Sequence, residues 1–108
     1  MPNPQFSVAT GHDAEGRLVL AVAGEIDASE HQRITDALAA ITDEAVVLDL
    51  RQLGFIDSTG LRAFVLFAQQ RHGAGRKTTV WASSAVQRLL ELTGLGPLFE
   101  LEEPPAGA

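Results

Sequence analysis

The chain has no cysteine, few basic residues and no long apolar run. The absence of cysteine excludes disulfides, thiolate zinc sites and cysteine nucleophiles. It is compatible with a reducing compartment. Eight Lys and Arg stand against fourteen Asp and Glu, for a net charge of -6. That balance argues against nucleic acid, whose recognition starts from a basic face. The longest uninterrupted apolar runs, 18–23 and 63–68, are each six residues long. A membrane span needs about 20. Met1-Pro2-Asn3-Pro4 has no basic segment, and no signal-type apolar core follows it. The expectation is a soluble, unexported, cytoplasmic chain without a membrane span.

What is present suits one domain. The 108 residues are 45% hydrophobic, enough to build a core at this length. Charge is unevenly spread. Residues 1–60 hold ten acids and three bases, and residues 61–90 hold five bases and no acid. The basic stretch reads as solvated helix faces or as a local basic patch.

Residues 1–4 read as a loose leader. A short strand over 5–10 and a strong one over 17–23 flank Gly11–Gly16, which is turn chemistry, so the chain opens on a hairpin. Gly24-Glu25-Ile26-Asp27 ends the second strand, and Asp27 or Ser29 can cap a helix. Ile34, Leu38 and Ile41 recur at helical spacing. Ala45–Leu50 reads as a central strand covered on both faces. A turn through Gly54 leads to Phe55-Ile56-Asp57-Ser58-Thr59-Gly60, and a helix follows to Gly73. Lys77–Ala82 is a strand, Ser83 or Ser84 starts a helix that Gly94 stops, and 98–101 is a short edge strand. Residues 102–108 read as a loose acidic, proline-bearing tail. The order β-β-α-β-α-β-α-β predicts a single α/β domain over 5–101, with a mixed sheet of about five strands.

No cofactor or metal site emerges. His12, His31 and His72 lack ligand-type spacing and read as exposed imidazoles, and no phosphate-binding glycine motif occurs. A serine hydrolase would need Gly-x-Ser-x-Gly, but Ile56 occupies the first position and no base is evident. Ser58 is left as a helix-start serine. By itself it reads as an N-cap whose hydroxyl accepts a first-turn N–H. The same place exposes the hydroxyl to another protein. A phosphate there would face free N–H groups and the positive helix end.

The segments Gly24-Glu25-Ile26-Asp27, Phe55-Ile56-Asp57-Ser58-Thr59-Gly60-Leu61 and Leu89-Leu90-Glu91-Leu92-Thr93-Gly94-Leu95, in this order, carry a resemblance. Over about residues 5–101 the chain resembles the STAS-domain anti-sigma factor antagonists of bacteria. The resemblance implies a binding module rather than an enzyme, with no cofactor. It would sequester an anti-sigma factor that is also a serine kinase, so releasing a sigma factor. The kinase would phosphorylate Ser58 and a metal-dependent serine phosphatase would reset it. Asp27, Asp57, Ser58, Thr59, Gly60, Leu61 and Arg62 would form the partner surface. Arg62 stands where many members have glycine, and is expected to pair with Asp57, with a phosphate on Ser58 or with a partner's acid. Many relatives add a helix after the last strand, so one sheet face is expected to be less covered here. The other reading of this fold is a scaffold or accessory subunit of a signalling or lipid-transport complex.

Overall fold

A computed structural model describes residues 6–107. The proposed leader, 1–4, and Gln5 lie outside the described residues. Six strands and three helices follow one another: β1 (Ser7–His12), β2 (Leu18–Ile26), α1 (His31–Ala39), β3 (Val46–Leu50), β4 (Leu53–Ile56), α2 (Ser58–Gly73), β5 (Thr78–Ala82), α3 (Ser84–Thr93) and β6 (Glu100–Leu101). The main path of the sheet runs β1-β2-β3-β5-β6. Only β1 pairs antiparallel, through the expected hairpin; the other pairs are parallel. The mixed α/β sheet is therefore as expected, with one strand more than anticipated.

That extra strand is β4. The sequence places a turn at Gly54, yet Leu53–Ile56 pairs in parallel with the far half of β2. Nor does β2 stop at Gly24. Its first half, Leu18–Ala21, pairs with β3, and its second half, Gly24–Ile26, pairs with β4. The register slips between Gly24 and Glu25, where Gly24 takes φ 95°, open to glycine at little cost. One strand thus serves two ladders.

Alternation divides the sheet faces. Leu20, Val22, Val46, Leu48, Leu50 and Val80 join Ile34 and Leu38 of α1, Phe64, Phe67 and Ala68 of α2, and Val86 and Leu90 of α3 in one core. Phe64 is 1% exposed; burying such a ring contributes about 1.5–3 kcal/mol. The opposite face carries Ala21, Asp49 and Trp81. Trp81 is nonetheless buried. Arg51 stacks on its ring at 5.1 Å, and its indole N–H donates to Glu102 at 2.8 Å. Glu102 also accepts from Arg17 at 3.0 Å. The first residue of the predicted tail is therefore held against the sheet.

The third helix begins at Ser83, whose hydroxyl accepts from the Val86 N–H and donates to the Leu53 carbonyl. One serine caps α3 and fastens it to β4. Arg71 corrects the reading of a solvated basic helix face. It is 7% exposed and lies among the Thr78 hydroxyl and the carbonyls of Asp43, Glu44 and Lys77.

Candidate functional site

The β2–β4 pair carries the site. Glu25 lies beside Phe55 and Ile26 beside Ile56, so both strands end at one level. The next residues are Asp27 and Asp57. The Asp57 N–H donates to the Ile26 carbonyl at 3.1 Å, which extends the ladder to the start of α2. Each aspartate then caps the turn that follows. Asp27 accepts the Ser29 N–H at 3.0 Å, and Asp57 accepts the Gly60 N–H at 2.8 Å.

Asp57, not Ser58, is therefore the N-cap of α2. Ser58 is the first helical residue and is exposed. Among the described residues nothing hydrogen-bonds its hydroxyl. A serine serving as cap would spend that oxygen on its own helix; here the aspartate does so, leaving the hydroxyl to solvent.

Thr59 and Arg62 are exposed as well. Gly60 is buried, and Leu61 packs partly buried against the core. A Cβ on Gly60 would stand 2.8 Å from Ile26 Cγ2 and 3.1 Å from both Asp57 Oδ1 and Ile56 Cγ1. The lack of a side chain at Gly60 lets α2 seat directly on the ends of β2 and β4.

The expected Arg62–Asp57 pair does not form. His31 takes that place: its Nε2 lies 2.8 Å from Asp57 Oδ1 and 3.0 Å from Oδ2. His31 opens α1 and is half-buried, which corrects its reading as a solvated imidazole. Its Nε2 is committed to the Asp57 carboxylate, and among the described residues no hydrogen bond joins His31 to Ser58. Among the described residues no three His, Asp or Glu side chains gather as metal ligands.

The Gly60 N–H, and then His31, hold the Asp57 carboxyl below its ordinary value of 3.8, against the opposing effects of lost hydration and, more weakly, of Asp27. A hydrogen bond with the Glu30 side chain, and then the Ser29 N–H, do the same for Asp27. A carboxyl depressed in the folded state adds stability that is complete above its unfolded value and is lost as pH falls through the folded one. Asp57→Asn should therefore be less stable than wild type at neutral pH, and the gap should close as pH falls below about 4. Thermal midpoints across pH measure this. A gap that stays constant into acid would show that the charge on Asp57 adds nothing.

The model described as the STAS domain matches residues 6–107. The chain belongs to the STAS domain family. Related STAS proteins include the anti-sigma-B factor antagonist of Listeria monocytogenes, 36% identical over 85 residues, or 75% of either chain. The crystal structure of an anti-sigma factor antagonist from Mycobacterium paratuberculosis superposes with a TM-score of 0.79 at 28% identity, covering 98% of this chain and 92% of that one. The anti-sigma factor antagonist SpoIIAA in its unphosphorylated form shares the fold with a TM-score of 0.68 at 17% identity, over 93% of this chain and 90% of that one. A phosphorylated form from Bacillus shares it with a TM-score of 0.65 at 16% identity, over 93% of either chain. Within this STAS domain, Asp27 and Asp57 through Arg62 all gather at the β2–β4 end. His31 is the member of the site that the sequence did not flag. No described helix is long and apolar enough to cross a membrane.

Proposed function

We propose that this STAS domain is an anti-sigma factor antagonist, a cytoplasmic binding module that sequesters a serine-kinase anti-sigma factor. Phosphorylation of Ser58 releases it, and a serine phosphatase restores it. The observation that carries this reading is the exposed, unengaged Ser58 hydroxyl at the first position of α2. The γ-phosphoryl of ATP held by the kinase passes to Ser58 Oγ, the hydroxyl proton leaves, and ADP remains with the kinase.

A phosphate would add a charge of roughly -1.5 to -2. It would sit beside the first-turn N–H groups and the positive end of the α2 dipole, so the fold can bear it. The partner interface cannot bear it as easily. Asp27 and Asp57 already make this end acidic, and a surface fitted to a neutral hydroxyl would meet a desolvated dianion. The charge is tolerated within the chain and rejected across the interface.

The test is to incubate the chain with purified serine-kinase anti-sigma factors and ATP and to weigh it intact. One phosphate should be gained, and none by Ser58→Ala. Ser58→Ala should bind the kinase constitutively, and Ser58→Asp should lose most binding. Modification that persists in Ser58→Ala would sink the site. Capture of transporter subunits in place of an anti-sigma factor would favour the scaffold reading.

A further inference from the structure

Between α1 and α2 runs an open groove of about 390 Å³. Its apolar lining includes Leu38, Ala63, Leu66 and Phe67, and Thr59 and Arg62 line it where α2 begins. Thr59, Ala63 and Leu66 follow one another at i, i+4 and i+7, which is one helix stripe. Leu66 is 45% exposed, a large apolar side chain without cover. Arg62 is exposed, and no acid among the described residues pairs with it. An external carboxylate would give this cation a partner. Ser58 lies one turn before Arg62, at i and i+4, on the same side of the helix.

We propose that this groove receives an amphipathic helix of the anti-sigma factor, with apolar side chains over Leu66 and an acidic residue against Arg62. The inference rests on the Ser58 reading above and adds where the partner lies. Two packed helices offering an apolar trough are the usual receptor for a third, whose anchors recur at i, i+3, i+4 and i+7. The charge fits this occupant: an acidic chain presents one unpaired cation at the trough, within reach of the modified serine. Arg62 then has two competing ligands. In the unmodified chain it meets the partner's carboxylate. In the phosphorylated chain the phosphate on Ser58 takes it as an i, i+4 pair, and the partner's acid faces a dianion with its cation withdrawn.

The experiment uses the purified kinase that modifies Ser58 in the test above and measures its Kd for variants of the whole chain. Leu66→Glu should weaken binding by about tenfold or more, the scale of an interface anchor. Leu92→Glu, at the 74% exposed Leu92 on α3, should leave it unchanged. Arg62→Ala should weaken binding and also narrow the ratio between the Ser58→Asp and wild-type affinities. Circular dichroism checks that each variant is folded. Unchanged affinity in Leu66→Glu with Ser58 still phosphorylated would overturn the groove and leave the Ser58 reading standing. Equal losses in Leu66→Glu and Leu92→Glu would also overturn it. If no kinase binds the wild-type chain, both readings fall together.

Discussion

Gly60→Ala should destabilise the domain and slow the phosphate transfer to Ser58 that we propose. Two effects oppose each other. Alanine is favoured over glycine inside a helix by about 1 kcal/mol. Against this, the new methyl would lie 2.8 Å from Ile26 Cγ2, and Ile26 is fully buried with no room to withdraw. Overpacking of this kind costs about 1–3 kcal/mol. The propensity gain is also at its smallest in the first turn, where Gly60 sits and where its N–H must meet Asp57. The clash should win. Each kcal/mol lost lowers the thermal midpoint by about 4–8 °C in a domain near this size. The methyl would also press on Asp57 Oδ1, loosening the cap that fixes Ser58. The expected result is a lower midpoint together with slower phosphate transfer by the proposed kinase partner. A raised midpoint would mean that propensity prevailed and that α2 seats with room to spare.

Arg71→Ala should cost about 1–3 kcal/mol, the scale of a buried acceptor left unpaired: the Thr78 hydroxyl loses its buried partner, while the part-buried carbonyls of Asp43, Glu44 and Lys77 can turn to water. The guanidinium spans three carbonyls and a hydroxyl: Asp43 at 2.8 Å, Glu44 at 2.7 Å, Lys77 at 2.8 Å and Thr78 Oγ1 at 3.1 Å. Those acceptors belong to the connections that enter β3 and β5, so one side chain ties two parallel strands to the end of α2. Its aliphatic stem also fills space that alanine would vacate. Arg71→Lys should recover only part of the loss, because an ammonium is a point donor and cannot span a fork of acceptors. Urea denaturation measures both variants. A loss below about 1 kcal/mol for Arg71→Ala would show that water replaces the guanidinium freely. A domain of this size holds about 5–15 kcal/mol in all, so the variant should still fold, with a clearly lower denaturation midpoint.

Much of this was legible in the chain, and the misses share a cause. Caps and stops are local, so the sequence narrows the start of α3 to Ser83 or Ser84 and its stop to Gly94, and the structure has Ser83 and Gly94 at its two ends. Strong strands with β-branched runs, such as Val46–Leu50, declare themselves as well. β4 does not. It has four residues, one of them glycine, and owes its existence to the free edge of β2 beyond Gly24. Without β4 nothing in the sequence brings α1 near Asp57, and His31 stays invisible 26 positions away. The cap was misassigned by one residue because Asp57 and Ser58 are both good caps and spacing cannot choose between them. Arg71 was misread because a basic residue in the last turn of a helix suits the dipole and solvent equally well. Its four acceptors are assembled by the fold.

The split in β2 has one more consequence. Leu18–Ala21 communicates with β3, and through it with β5; Gly24–Ile26 communicates with β4, and through it with α2. The first segment lies within the main sheet, and the second leads to the turn where α2 begins. The strand works as a railway junction with its points at Gly24. Beyond that junction the strand answers to a second neighbour, and the buried Ile26 still anchors that branch in the common core.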